Sequence, residues 1–214
     1  YAWTAQPFAR YFVNSVLVTS LAVVGVVLSS ALVAYGFARY EFRGKRVMFV
    51  VLLATMIIPW DVLVVPLYVE YAYLGWIDTY LPLVGPSFLG IPFYIYLLTQ
   101  FLRTIPRDFE EAALIDGANH FQIFFRIFVP MMRPQLALVA ILHMLVVWND
   151  LLGPLVFLND PDKFTLPVGL PFFKSSHLTD PTPILAISVI MTIPPLSVKR
   201  KSTRRTASPN VTSE

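Results

Sequence analysis

The chain has 214 residues, of which 57% are hydrophobic and only 14% are charged. This composition is too apolar for a water-soluble domain of that size, and the chain is too long for one membrane span, so we expect a multi-span membrane protein. The absence of cysteine excludes disulfide bonds, thiolate metal sites and cysteine nucleophiles. The net charge of +3 identifies no partner by itself, but the positions of the positive charges are informative.

Four apolar segments are long enough to cross a membrane. A hydrocarbon core of about 30 Å needs about 20 helical residues, and that length is reached by residues 14–38, 47–69, 81–102 and 135–158. A fifth run, residues 183–196, is too short to cross, and it is followed by a polar, basic tail at 197–214 that we expect to be disordered. We therefore predict an all-α membrane protein, a polytopic helical bundle formed by residues 1–196.

The basic residues assign the two sides of the membrane. When the turn "YEFRGKR" is placed in the cytoplasm and the spans alternate, only Arg10, Lys163 and Lys174 fall outside. Such an asymmetry in short loops sets the orientation of a membrane protein. A cluster of aromatic residues falls on the outer side, where it forms either an interfacial belt or the packing of a small loop: Tyr68, Tyr71, Tyr73, Trp76 and Tyr80.

The cytoplasmic loop between the third and fourth spans, residues 103–134, is predicted to begin with a short helix. Pro106 suits a first helical position, and Asp108, Glu110 and Glu111 follow where the helix dipole favours anions. Gly117 suits the left-handed residue that ends many helices. The pattern predicts a helix followed by a glycine corner.

A second helix is predicted directly after that corner. Asn119 and Gln122 have the spacing of a capping box. Four phenylalanines then follow at helical spacing and predict one apolar stripe: Phe121, Phe124, Phe125 and Phe128. The stripe suits either the lipid interface or a protein partner.

The stretch "EAALIDGANHFQIFFRIFVPMMRP" resembles the EAA loop of the membrane-spanning permease subunits of binding-protein-dependent ABC importers. The family pattern is E-A-A, a D-G pair three residues on, and an aliphatic residue and a proline near the next span. The matching positions are Glu111, Ala112, Ala113, Asp116, Gly117, Ile127 and Pro130. Further stretches, among them "AYGFARYEFRGKR", "WNDLLGPLVFL" and "TLPVGL", are similar to the carbohydrate-uptake branch, specifically to the shorter permease of maltose and glycerol-phosphate type systems.

The resemblance implies that the loop carries a coupling helix that sits in a groove of the ATPase subunit. Glu111 would make a polar or ionic contact there, Ala112 and Ala113 would allow close approach, and Gly117 would aim the helix. The chain would form half of the translocation path for a sugar and would work by alternating access, in the inner membrane of a bacterium or archaeon. Its expected partners are ATPase subunits, a second permease, an extracytoplasmic substrate-binding protein and membrane lipid, with no nucleic acid.

We expect no catalytic activity and no bound cofactor or metal in this chain. It has no G-x-x-x-x-G-K-[ST] phosphate loop, so ATP and magnesium are expected on the ATPase partner. Members of the family usually have six spans. We expect five of them here, with the first missing and the last truncated, and we hypothesise a frameshift or truncation at the C-terminus because Lys and Arg interrupt the last span.

Ionisable residues in the spans are candidates for function, because charge is expensive inside a membrane. Asp150 lies about midway along the fourth span beside Trp148 and Asn149, in a stretch that matches the family's W-N-[ED] pattern. These three residues would contact the sugar or have a structural role. Asp61 follows a proline and would line the path or pack helices. His143 has no second metal ligand nearby in sequence and is interpreted as a packing or hydrogen-bonding residue.

Two other functions stay open from the residues. The same loop occurs in importers of peptides, amino acids and phosphate esters. Alternatively, Asp61 and Asp150 would form the acid pair of a membrane-embedded enzyme. The outer segment 159–183 either contacts the substrate-binding protein or only tethers two spans.

Overall fold

A computed structural model describes residues 7–169, and within them the chain is helical with no strand. Two helical stretches, Phe8–Arg39 and Leu81–Thr104, are long and apolar enough to span a membrane, and the number rises to four if each of two bent helix pairs is one span. The predicted all-α membrane bundle is confirmed. The run at 183–196 and the tail at 197–214 lie outside the described residues.

The first helix, α1 (Phe8–Arg39), is the central element and packs against most of the other helices. Small residues on α1 let its neighbours approach closely. A Cβ at Gly25 would lie 2.6 Å from the ring of Phe88, and Ser29 Oγ donates to Ser87 O at 2.9 Å. The turn at Gly85–Leu89 therefore packs directly against the middle of α1.

The second predicted span is broken. It consists of α2 (Lys45–Thr55) and α3 (Trp60–Tyr73), which meet at 99°. The segment 47–69, predicted as one span, is divided into two helices because Pro59 has no N–H and pushes the residue before it out of the helical region. Both helices expose most of their apolar side chains, since α2 has no buried residue and α3 has only Val64 and Tyr71.

The third predicted span is assembled from α4 (Leu81–Val84), a 3-10 turn (Gly85–Leu89) and α5 (Pro92–Thr104). Gly90 separates the turn from α5 with a φ of 85°, a conformation that glycine adopts without strain. Pro92 then stands at the first position of α5, where its missing N–H has no helical partner to lose. The span crosses as predicted, with an irregular outer third.

The remaining elements form the cytoplasmic loop and the return to the outer side. They are α6 (Asp108–Ile115), α7 (His120–Ile123), a π-helical turn (Phe124–Phe128), α8 (Val129–Met131), α9 (Arg133–Trp148) and α10 (Leu152–Phe157). The stretch His120–Met131 meets α9 at 75°. The predicted span over 135–158 is interrupted between Trp148 and Leu152, so Asp150 lies in a helix break and not midway along a helix.

Two clusters of buried residues hold the bundle together, one toward each end of α1. The cytoplasmic cluster joins the second half of α1 to α5, the loop and α9. The outer cluster joins the first turn of α1 to Trp148 and to residues 158–168. Arg10 pairs with Asp162 at the outer end, whereas Arg39 contacts the far end of α5, so these two basic residues lie at opposite ends of the bundle; the names outer and cytoplasmic follow the predicted orientation.

Candidate functional site

The predicted glycine corner is present at the end of α6. Gly117 has a φ of 81°, and its N–H donates to Leu114 O at 3.0 Å. The N–H of Ala118 donates to Ala113 O at 2.9 Å, which completes a Schellman motif. A side chain at Gly117 would meet nothing within 4 Å, so backbone conformation alone requires glycine there. The helix begins at Asp108, two residues after the predicted Pro106.

The predicted capping box starts α7 directly after the corner. Asn119 Oδ1 accepts from the N–H of Gln122 at 2.9 Å, and Gln122 Oε1 accepts from the N–H of Asn119 at 2.9 Å. These reciprocal bonds satisfy two donors that a helix start otherwise leaves unpaired. The corner and the box together fix the angle between α6 and α7.

The prediction of one aromatic stripe is wrong. A π-helical turn begins at Phe124, and the four rings divide into a buried pair and an exposed pair, although the rings of Phe124 and Phe125 stay in contact with centroids 4.9 Å apart. Phe124 and Phe128 are buried in the cytoplasmic cluster, whereas Phe121 and Phe125 are exposed. One pair fastens the loop to the bundle and the other is left for a partner or for lipid.

The outward side of the loop forms one mixed surface, which we call the coupling surface. In α6 only Ala113 is buried, while Glu111 and Ala112 are exposed. Large apolar side chains surround them, with Ile115 86% and Phe121 73% exposed. The coupling surface comprises Phe109, Glu111, Ala112, Ile115 and Phe121. Of the other matched positions, Asp116 and Gly117 are exposed at the corner and Pro130 is half-buried in α8.

The inward side of the loop rests on the end of α1. The ring of Tyr35 lies 5.0 Å from that of Phe124 and 5.2 Å from that of Phe128, centroid to centroid. Arg39 is buried and donates to two carbonyl oxygens at the end of α5. Sequence reasoning counted Arg39 only as a cytoplasmic charge, because nothing local indicates a partner 63 residues away.

A turn beside the loop connects it to α2 through charge. Glu41 Oε1 accepts a hydrogen bond from Lys45 Nζ at 2.9 Å and lies 3.5 Å from Nη2 of Arg107. The hydrogen bond from Lys45 lowers the pKa of Glu41 below its ordinary value. Arg107 immediately precedes α6, so an ionic contact joins the turn to the start of α6.

A cavity of about 460 Å³ lies between α3, α4 with the turn that follows it, α9 and α10. Most of its lining is apolar, and we call it the polar cavity after the three polar side chains that reach it. Three aromatic residues, Trp60, Tyr71 and Phe157, line it together with Ser87, His143 and Asp150. His143 is 4% exposed and its Nε2 lies 3.1 Å from Ser87 Oγ, as expected for a hydrogen-bonding residue. Its Nδ1 is buried and has no partner within residues 7–169. Sequence reasoning did not place His143 and Ser87 together.

The W-N-D stretch makes the break between α9 and α10. Asn149 Nδ2 donates back to Leu145 O at 2.7 Å, and Asp150 Oδ1 accepts from the N–H of Gly153 at 3.1 Å. One side chain thus ends a helix and the next starts one. Trp148 is buried against the ring of Phe12, with ring centroids 6.0 Å apart, so it packs inside the bundle.

The two aspartates that the sequence singled out differ in position. Asp150 is half-buried and lines the polar cavity. Asp61 is exposed in the first turn of α3 and is not among the residues that line that cavity. Its neighbour Trp60 lines the cavity instead.

The outer end is closed by contacts between two loops. Asp78 Oδ2 accepts from Lys163 Nζ at 2.8 Å, and Asp78 Oδ1 accepts from the N–H groups of Asn159 and Asp160 at 3.0 and 2.9 Å. These donors, with Lys163 first, lower the pKa of Asp78 to about 2. We call this arrangement the outer latch. It shows that residues 159–169 are fastened to the bundle, whereas the rest of the predicted outer segment, up to 183, lies outside the described residues.

The residues of the outer aromatic cluster divide between the two roles considered for them, the packing of a small loop and an interfacial belt. Tyr71 is buried and stacks on Trp76 with ring centroids 5.5 Å apart. Tyr80 packs against the outer buried cluster. Tyr73 is 89% exposed and Tyr68 is 39% exposed, as residues of an interfacial belt would be.

Comparisons with known proteins agree with this architecture. A family model described as binding-protein-dependent transport system inner membrane component matches residues 23–200. A diacetylchitobiose uptake permease of Streptomyces coelicolor is 38% identical, with 96% of this chain and 69% of the relative covered. An arabinooligosaccharide transport permease of Bacillus subtilis is 33% identical (87% and 66% covered), and a trehalose/maltose transport permease of Thermococcus litoralis is 33% identical (87% and 68%).

A solved structure has the same fold. It is a bacterial ABC transporter involved in the import of the acidic polysaccharide alginate; a chain of that transporter matches with a TM-score of 0.84 and 25% identity, covering 96% of this chain and 78% of its own length. The chain thus spans about two thirds of the length of the curated relatives named above.

Proposed function

This chain belongs to the family of inner membrane components of binding-protein-dependent transport systems, and from that membership we propose that it forms half of the path for a sugar in an ATP-driven importer. The sequence-based recognition of this family is confirmed. The named relatives take up diacetylchitobiose, arabinooligosaccharides and trehalose or maltose. Their shared chemistry supports a sugar or sugar derivative as the solute here, in preference to a peptide, an amino acid or a phosphate ester.

The coupling surface is the observation that carries the proposal. Its helix, α6, exposes a carboxylate and a small residue among large apolar side chains, the composition of a surface that buries area against a protein. Glu111 is assigned a polar or ionic contact with the ATPase subunit, and Ala112 the position of close approach. Ala113 faces inward and joins α6 to the bundle.

Alternating access follows from how this surface is mounted. ATP and magnesium bind to the ATPase partner, and closure of two such subunits displaces the coupling helices. Because the corner at Gly117 and the capping box at Asn119 are fully hydrogen-bonded, α6 and α7 move as one body. The motion then reaches the spans, and the path opens to the other side.

The polar cavity is the part of this chain that we assign to the path. Aromatic rings offer faces for the apolar side of a sugar ring, and Asp150, His143 and Ser87 offer hydrogen bonds to hydroxyl groups. Of the three residues of the W-N-D stretch, Asp150 lines this cavity. Trp148 and Asn149 act by shaping the helix break. Asp61, which is exposed, is assigned to the surface that meets the second permease subunit.

A pull-down tests the coupling assignment with a matched pair of variants. Gly75 ends α3 at the outer side with a φ of 68°, a bond from its N–H to Ala72 O, and open space around it, so its geometry matches that of Gly117. Proline at either position removes the N–H and is incompatible with a positive φ. The full-length chain is co-expressed with its ATPase and second permease, and ATPase retention is measured in detergent.

The native chain and Gly75→Pro should retain the ATPase, and Gly117→Pro should lose it. Equal retention by both variants would contradict the coupling assignment. The rate of ATP hydrolysis is then measured with the substrate-binding protein and each of a panel of candidate solutes. The solutes that stimulate hydrolysis identify the solute class. Stimulation by peptides and not by oligosaccharides would contradict the sugar assignment while leaving the permease assignment intact.

A further inference from the structure

Arg39 is the last residue of α1, and it is almost fully buried, with 8% of its surface exposed. Nη2 donates to Leu102 O at 2.9 Å and to Ile105 O at 3.0 Å. Both carbonyls lie at the end of α5, where a helix leaves its last carbonyl oxygens without helical partners. A cation at that position also meets the negative end of the helix dipole. Arg39 therefore caps α5 from a different helix.

The same guanidinium also holds the far side of the coupling loop. Cζ of Arg39 lies 4.5 Å from the centre of the Phe128 ring, within the range of a cation–π contact. Ile105 is the residue at which the chain leaves α5, and Phe128 ends the π-helical turn just before α8. One side chain thus touches the loop where it starts and where it ends.

Two further contacts join the end of α1 to the coupling loop. Tyr35, one helical turn before Arg39, packs against Phe124 and Phe128. Glu110, half-buried in α6, carries a negative charge that attracts the guanidinium of Arg39. The positive charge of Arg107 repels it. The end of α1 therefore contacts the coupling loop through packing, hydrogen bonds and charge together.

The geometry requires arginine in particular. A guanidinium donates through its edge and stacks through its face at the same time, because it is planar. Lysine keeps the positive charge, and its three N–H donors can serve both carbonyls, but it has no flat face to lay on Phe128. Arg39→Lys therefore separates the geometry of the contact from its charge.

We propose that Arg39 is a positioning residue that clamps both ends of the coupling loop onto α1, so that the loop and α1 move together through the transport cycle. This inference rests on the proposed coupling function. It assigns to α1, and not to α5 alone, the transfer of the ATPase motion into the membrane. Without the clamp, the loop moves with the ATPase while α1 stays behind, and ATP is hydrolysed without transport.

The first test measures the coupling ratio in the assembled transporter in lipid vesicles. Arg39→Lys should keep the complex and its ATP hydrolysis but lower the solute transported per ATP about tenfold, the effect expected from losing the buried contact between the guanidinium face and the Phe128 ring. The matched control is Arg43→Lys, because Arg43 is an exposed arginine four residues away. A role in folding alone would reduce the amount of complex and leave the ratio unchanged, and that result would overturn the proposal.

The second test measures the joint motion and does not depend on the solute. The chain has no cysteine, so cysteines at the exposed positions Val24 and Arg126 carry spin labels at unique sites on α1 and on the loop. The distance between them should stay narrow and unchanged with and without ATP, and Arg39→Lys should broaden it. A native distance that changes with ATP overturns the clamp. A fixed distance in a complex that transports no sugar would leave the clamp standing and count against the proposed function.

Discussion

The two ends of α1 are held in different ways. At the outer end, loops are fastened to each other by the Asp78–Lys163 latch and by the Arg10–Asp162 pair, so the charged groups find partners within the chain. At the cytoplasmic end, buried aromatic rings and Arg39 hold the loop from inside, and the side that faces outward carries unpaired apolar area and a carboxylate. The loops of the outer end bind to each other, whereas the cytoplasmic end exposes the surface that we propose contacts the ATPase.

The largest expected effect comes from truncating a buried ring at each end. Phe128 is fully buried and Phe157 is 1% exposed, so Phe128→Ala and Phe157→Ala should each lower the free energy of unfolding by about 3–5 kcal/mol. Thermal unfolding in detergent measures that loss. Only Phe128→Ala should also reduce ATPase retention, and equal retention by the two variants would show that the ends do not differ as we describe.

Removing a helix cap at each end should have a smaller effect. Asn119 caps α7, and Asp160 Oδ1 accepts from the N–H of Asp162 at the start of a second 3-10 turn, Pro161–Lys163. Replacing either by alanine should cost about 1 kcal/mol, measured again by thermal unfolding. Because the cap of α7 fixes the coupling loop, Asn119→Ala should weaken ATPase retention and Asp160→Ala should not.

Acid should open the outer end and leave the corner of the cytoplasmic loop in place. The pKa of Asp78 is lowered from 3.8 to about 2, so its contribution to stability is fully present above pH 4 and is lost as the pH falls through 2. The capping box uses two neutral amides and has no group that titrates. Hydrogen exchange at the amides of Asn159 and Asp160 should rise at low pH relative to that of Gln122, and Asp78→Asn should remove this pH dependence.

Charge reversal on the two surfaces should have the smallest effect on stability. Glu111 in α6 and Glu70 in α3 are both exposed, so Glu111→Lys and Glu70→Lys should each change the free energy of unfolding by less than about 0.5 kcal/mol. Glu111→Lys should nevertheless abolish ATPase stimulation by solute, while Glu70→Lys leaves it unchanged. If Glu111→Lys couples normally, the coupling surface makes no contact through that carboxylate.

The parts of the site that could be predicted from the sequence are those fixed by local chemistry. Gly117 and the Asn119–Gln122 pair act within three or four residues of their own positions, so their spacing was enough to predict the corner and the second helix. The W-N-D stretch was also recognised in the sequence. The apolar residues on both sides of it, however, predicted one uninterrupted span. Only the bonds of Asn149 and Asp150 to Leu145 and Gly153 show that it ends one helix and begins another.

The parts that the sequence did not predict depend on distant partners. Arg39 bonds to α5 across 63 residues, and His143 meets Ser87 across 56; neither contact has a local signature. The π-helical turn changes the helical period over five residues, which a search for ordinary helical spacing reads as one stripe. The second predicted span contains Pro59, but the bend of 99° there has no local signature, because its angle depends on the elements packed around it.

One further consequence follows from the length of α1. Its 32 residues contain no proline, so it is a single rod of about 48 Å at ~1.5 Å per residue. A tilt of ~5° about its middle therefore moves each end by about 2 Å, in opposite directions. A push on the loop at Arg39 that tilts α1 in this way displaces the outer loops around Arg10 in the opposite direction. The helix itself does not change its internal structure.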